Sequence, residues 1–284
     1  MFIYRYRDDL WKVVRVSDNT PSSVRDKVVR DDKTLENIRR AARMIEAYGL
    51  CNEWDYFVTL TVDPRKYENR LDLDTIRKDF MQMIRDVRKA YKADTAVLIV
   101  PELHANRQGW HFHGFIKGLP EKELSPFALH GSKLPPHVVR KIKEGKPIYD
   151  WPRYSGSFGF CDIEPIGNRD AATRYIKKYI TKGLDATAKN ISVGKHCYFV
   201  SRGLTLPEKW ESANACTALT LPIFLRGLSP ESSYQWDYGV AEWYKLDEAH
   251  QELITQTSML SSYEGSSCGC EFDDGGDLDD PDEL

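Results

Sequence analysis

Two histidines stand one residue apart in Trp110-His111-Phe112-His113-Gly114. On an extended strand both project to one face, about 7 Å apart, and Phe112 points to the other. Two imidazoles so placed can chelate one divalent ion. Upstream lies Pro101-Glu102-Leu103-His104. If the two segments pair through the turn-like stretch His104 to Gly109, Glu102 comes beside His111. One carboxylate and two imidazoles leave open positions on the metal, as a catalytic ion requires. This donor set suits Mg²⁺ or Mn²⁺, and two imidazoles would also suit Zn²⁺. Taken alone, a His-x-His on a strand is more often a pair of polar residues on a solvated face. His104 is a rival third ligand that begins a turn. His130, His137, His196 and His250 have no partner pattern and read as surface or satisfied histidines.

A second group is Arg174-Tyr175-Ile176-Lys177-Lys178-Tyr179-Ile180-Thr181-Lys182-Gly183. Tyr175 and Tyr179 are i and i+4, so they stack on one helical face, and Lys178 and Lys182 flank it. A phenol is a poor nucleophile near neutrality, because its pKa is about 10. A cation or metal that stabilises the phenolate makes it useful for phosphoryl chemistry. Taken alone, the same pattern also describes an amphipathic helix with half-buried tyrosines and solvated lysines.

The elements that would position these groups follow from periodicity. Thr34 to Tyr48 reads as a helix ended by Gly49. Tyr56 to Val62 is an aromatic and β-branched strand stopped by Asp63-Pro64. Leu73 to Tyr91 is an amphipathic helix with Ile76, Phe80, Met83, Ile84 and Val87 on one face. Thr95 to Val100 is a strand whose ladder Pro101 should close, and Trp110 to Lys117 is the next strand. Asn168 can cap a helix running to Gly183. His196 to Ser201 is a further strand. The proline-rich residues 118–160 read as an insertion with a short helix near Pro136 to Glu144. The order predicts an α+β fold, a mostly antiparallel central sheet with helices on one side. Residues 1–50, with weak strand signals in the first 30, form an N-terminal basic and helical extension. Residues 51–207 form the catalytic domain, 208–262 a C-terminal extension and 263–284 an acidic disordered tail.

Taken together, three segments in this order resemble the HUH endonuclease superfamily, whose fold is ferredoxin- or RRM-like. They are Phe57-Val58-Thr59-Leu60-Thr61, His111-Phe112-His113 and the Tyr175 to Lys182 helix. Cys51 to Tyr56 and Tyr198 to Leu204 resemble the same group. The likeness is to rolling-circle replication initiators of small phages and plasmids, in the two-tyrosine branch, and covers roughly residues 35–207. It implies that His111 and His113, completed by Glu102, hold Mg²⁺ or Mn²⁺ at a scissile phosphate. It implies that Tyr175 or Tyr179 attacks single-stranded DNA at a replication origin and becomes joined to the 5′ phosphate. The freed 3′ hydroxyl would prime a host polymerase working with a host helicase. The second tyrosine would permit rejoining, and Lys178 and Lys182 would help with charge. A conjugative relaxase or a single-strand transposase shares this chemistry. A non-catalytic single-stranded nucleic-acid-binding module is a rival from another class.

Thr59, Thr61, Arg174 and Arg202 are candidate DNA contacts. Trp151, Tyr154, Phe158 and Phe160 suit base stacking or, more commonly, a small core. Lys133, Arg140, Lys141, Lys143 and Lys146 form a basic run. Among 284 residues, 40 Lys and Arg face 43 Asp and Glu, for a net charge of −3. Nine of the acids lie in residues 263–284, which hold no Lys or Arg, so residues 1–262 carry +6. A basic body admits a polyanionic partner, and an acidic tail can compete with that partner. No apolar run approaches a membrane span and no signal peptide is evident, which predicts a protein of the bacterial cytoplasm with no membrane partner. The six cysteines include no CxxC pair and are too sparse for a disulfide framework. There is no G-x-x-x-x-G-K-[ST] loop, so a fused helicase of that type is not expected.

Overall fold

The computed structural model describes residues 1–16, 30–103, 109–129, 134–177, 197–210, 221–236 and 239–261. The acidic tail expected over residues 263–284 lies outside them. The chain divides into two compact units, residues 22–206 and residues 1–21 with 207–284. No helix among the described residues is long and apolar enough to cross a membrane.

The larger unit is built on seven antiparallel strands. In chain order they are β3 (Tyr56–Thr61), β4 (Ala96–Leu103), β5 (Trp110–Lys117), β6 (Ser125–Pro126), β7 (Tyr149–Asp150), β8 (Cys161–Pro165) and β9 (Phe199–Val200), in the spatial order β6-β7-β8-β3-β5-β4-β9. Helix α2 (Leu73–Tyr91) starts where the Asp72 carboxylate accepts from the amides of Asp74 and Thr75, and stops at Lys92 in the left-handed conformation. Its apolar stripe, Ile76, Phe80, Met83, Ile84 and Val87, packs with Val58, Leu60, Val97, Ile99, Phe112 and Ile116. The intervening residues Leu98, Val100 and Phe115 face the other way. They pack with Ile38, Ala42 and Ile45 of α1 (Arg30–Cys51) and with Ile176 of α5 (residues 169–177). The α+β class with an antiparallel sheet is as the sequence predicts. Helices cover both faces of the sheet rather than one, because β4 and β5 are apolar on both faces.

Two expected boundaries move. Helix α1 runs through Gly49, and a Cβ there would lie 2.7 Å from Thr173 Cγ2, so the glycine allows α5 to approach α1. Pro101 lies inside β4, paired with Phe112. There β4 is an edge, because β9 pairs only with Leu98 and Ile99, and an edge accepts a residue without an N–H. Residues 118–160 contain a short 3-10 turn, α3 (Pro136–Lys143) and α4 (Pro152–Ser157). Trp151, Tyr154 and Phe158 are buried in the core beside α2, with Phe80 edge-on to the first two. They fill a core. The Trp151 indole donates to Glu123 Oε2 at 2.8 Å, and Arg153 pairs with the same carboxylate at 2.7 Å.

The smaller unit is a five-stranded antiparallel sheet in the order β10-β1-β2-β12-β11. Its strands are β1 (Phe2–Arg7), β2 (Leu10–Val16), β10 (Glu208–Trp210), β11 (Ser232–Trp236) and β12 (Gly239–Lys245). The N-terminal residues, weak in local signal, therefore form two strands. One face packs Ile3, Trp11, Val13 and Tyr244 against Phe224, Leu225 and Ile254, the last from α6 (Glu248–Ser261).

Candidate functional site

The registers of β3, β5, β4 and β8 set out the site. Directly opposed residues in antiparallel strands share a face. Thr61 pairs with His111, and His111 with Glu102. Two positions along, Asp162 pairs with Thr59, Thr59 with His113, and His113 with Val100. Glu102, His111, His113, Thr59, Thr61 and Asp162 therefore occupy one sheet face, the one on which α1 and α5 also pack. The opposite face holds Leu60 and Phe112 in the core beside α2. The alternation that puts both histidines on one side is thus enforced by Phe112.

Glu102 and His113 meet: Glu102 Oε2 lies 3.0 Å from His113 Nε2. His113 is buried, and the Glu102 side chain is about one-third exposed. The carboxylate thus reaches diagonally to His113 rather than to His111, which it directly opposes. An oxygen and a nitrogen at this separation fit two neighbouring positions on one ion. Among the described residues, no three His, Cys, Asp or Glu side chains are gathered closely enough to hold a metal as they stand. His111 shares the face and is half-buried. A third ligand requires its side chain to turn toward the other two. His104, His130 and His196 lie outside the described residues.

Tyr175 comes to the same face. Asn168 caps α5, its side-chain oxygen accepting from the Ala171 amide at 2.9 Å. Lys177 ties the helix to α1 through Glu46 at 2.7 Å. Ile176 is buried on Leu98, Val100 and Phe115, which leaves Tyr175 at the rim, 48% exposed. Its ring packs edge-on against Phe57 at 5.6 Å, and the Phe57 ring stacks on His113 at 6.4 Å. One phenylalanine thus separates the phenol from the imidazole. Lys178, Tyr179 and Lys182 lie outside the described residues.

The remaining candidates are distributed around this face. Thr61 Oγ1 donates to the Phe160 carbonyl at 2.8 Å and so holds the segment entering β8. Thr59 lies between His113 and Asp162. Arg174 is exposed on α5, and Arg202 is exposed after β9. The basic run of α3 is paired: Lys141 with Glu164, Arg140 with Glu144 at 3.8 Å, and Lys146 with Glu144 at 2.8 Å. Lys133 lies outside the described residues.

Sequence reasoning missed Asp162. It is only 2% exposed and receives His137 of α3, Nε2 to Oδ2 3.1 Å. The alternation of Cys161, Ile163 and Pro165 with Asp162 and Glu164 was the available signal. Burial pushes the Asp162 carboxyl above its ordinary value, and the His137 hydrogen bond acts the other way. A carboxyl raised in the folded state favours the fold at low pH, and this contribution is lost as pH rises through its folded value. Asp162→Asn does not titrate. Its melting temperature should therefore gain on that of the unsubstituted chain between about pH 3.5 and 6. A gap that narrows over that range would mean that the His137 bond outweighs burial.

No curated protein and no solved structure matches the chain. Residues 55–184, which run from the head of β3 past α5 and carry every strand of the polar face, match the family model described as Replication-associated protein ORF2, and this stretch of the chain is similar to that family.

Proposed function

We propose that the chain is a rolling-circle replication initiator of the HUH type, nicking and rejoining single-stranded DNA at an origin through a tyrosine. The observation that carries this reading is the single sheet face on which Glu102 touches His113 while Tyr175 stands one ring away. The likeness of residues 55–184 to replication-associated proteins supports it. Glu102, His111 and His113 are the residues to hold Mg²⁺ or Mn²⁺, which when bound supplies positive charge to a phosphate oxygen.

The chain's own groups do the rest. Tyr175 or Tyr179 presents its Oη to the phosphorus. The bond to phosphorus forms as the P–O3′ bond breaks, the phenol proton passes to water, and the departing 3′ oxygen takes a proton. The phosphodiester becomes a 5′ phosphotyrosine, so its bond energy is retained and the step reverses when a 3′ hydroxyl returns. No nucleotide is consumed. Lys178 and Lys182 supply cations beside the tyrosines, and Arg174 and Arg202 hold backbone phosphates. The released 3′ end is a primer for a host polymerase, with a host helicase opening the duplex.

The test is covalent capture. The chain is incubated with single-stranded circular DNA and Mn²⁺, then resolved under denaturing conditions and digested. A 5′-phosphonucleotide on the peptide bearing Tyr175 or Tyr179 is expected. A modification mapped to any other residue, or no adduct on any origin-bearing circle, overturns the reading.

A further inference from the structure

The smaller unit carries a second surface that the nicking site does not use. Its sheet has one face on the Trp11 core, and the other is paved with rings. One cross-sheet row on that outer face runs Lys209, Tyr4, Lys12, Trp243 and Ser232, as the registers of β10, β1, β2, β12 and β11 dictate. The next row runs Phe2, Val14, Ala241 and Tyr234. Phe2 is 45% exposed and Tyr234 68% exposed. With strands about 4.8 Å apart, these two rings stand about 14 Å from each other over a floor of small side chains. Tyr6 packs on Trp243 at 4.7 Å, which places a further ring at the edge of this floor.

Charge is sorted between the two faces. The only acids in the five described strands are Glu208 and Glu242. They align with Arg5 and Val13 and so fall on the face of Trp11. Both form ion pairs there, Glu208 with Arg5 and Glu242 with Arg15. The lysines fall on the ring face: Lys209 beside Tyr4, Lys12 beside Trp243 and Lys245 beside Leu10. Lys12 Nζ lies 4.7 Å from the Trp243 ring and Lys209 Nζ 5.9 Å from the Phe2 ring. Exposed rings interleaved with cations, and no strand carboxylate among them, match a polyanion that also offers flat apolar faces.

We propose that this face binds single-stranded DNA, with bases stacking on Phe2 and Tyr234 and the backbone following Lys12 and Lys209. Paired bases hide their faces, so the strand must be single. The choice of DNA over RNA rests on the replication reading of the larger unit. The surface would hold the strand outside the nicking site and raise affinity for long substrates.

The test uses the full chain and a fluorescently labelled 30-nucleotide oligothymidylate, read by anisotropy over a salt series. The Phe2→Ala/Tyr234→Ala pair should weaken binding at least about tenfold. The Lys12→Gln/Lys209→Gln pair should reduce the salt slope by about 1.4, at about 0.7 per lost single-strand contact. Both pairs truncate side chains outside the core, and circular dichroism checks the fold. Unchanged affinity in the ring pair overturns the proposal. So does an equal loss on a 30-base-pair duplex. Loss of self-association on size exclusion, with DNA affinity retained, assigns the face to a second copy of the chain and also overturns it. A chain that binds oligothymidylate through these rings but forms no adduct sinks the nicking reading alone.

Discussion

In the presence of Mn²⁺ and single-stranded DNA, His111→Ala and Glu102→Gln should each slow covalent adduct formation at least about a hundredfold, and a chelator should stop it. His111 is the informative position. It is half-buried and borders the open end of the polar face, so its truncation leaves Phe112 and the core beneath intact. Glu102→Gln keeps the shape of the side chain that reaches His113 and removes only its charge. A ligand role and a structural role then diverge. If these residues hold an ion, raising Mn²⁺ should restore part of the rate in both variants, because a weakened site fills at higher concentration. Melting temperatures should stay close to that of the unsubstituted chain. A variant that reacts at the normal rate would remove its residue from the ligand set. One that is slow at every Mn²⁺ concentration would point instead to positioning of the His113 ring against Phe57 and Tyr175.

What the sequence disclosed follows the range of the interactions involved. Helix α2 and strand β5 were legible to the residue, because an amphipathic stripe and a bounded aromatic strand are local patterns. The shared face of His111 and His113 needed only period two. The approach of Tyr175 depends instead on Ile176 finding Leu98, Val100 and Phe115, about 60 to 80 residues away in the chain, and no local pattern states it. The smaller unit is the extreme case. Strand β2 pairs with β12 through Val14 and Ala241, so neither segment discloses its partner. His137 and His250 read as satisfied histidines without identifiable partners, and those partners are Asp162 and Asp247. Asp247 is three residues from its histidine, while Asp162 is 25 away on a strand that passed for the end of an insertion. Pro101 and Gly49 misled for the same reason. Each breaks structure locally, and each is tolerated by a tertiary circumstance, a sheet edge in one case and a helix contact in the other.

Gly114→Ala should be among the most damaging single substitutions in the larger unit, although it adds one methyl group and touches no candidate ligand. A Cβ at this position would lie 2.2 Å from the Leu98 carbonyl oxygen and 2.9 Å from Ile99 Cα. Both are backbone atoms of β4, so no rotamer change can make room. The Ile99–Gly114 pairing must spread or β5 must shift. Overpacking of this kind costs about 3 kcal/mol, which corresponds to a fall of roughly 6–12 °C in melting temperature for a domain of this size. Gly156, with nothing within 4 Å of a built Cβ, is the matched control. It lies in α4, where alanine should be neutral or stabilising by up to about 1 kcal/mol. Thermal unfolding followed by circular dichroism separates the two. If Gly114→Ala melts with the unsubstituted chain, β4 and β5 are not packed as closely as the geometry requires. The expected loss bears on the site through β4. Residue 114 follows His113 directly, and the strand it would push away carries Glu102, so spreading these strands parts the carboxylate from the imidazole. The glycine after the second histidine therefore serves the close approach of two strands, and the Glu102–His113 contact depends on that approach.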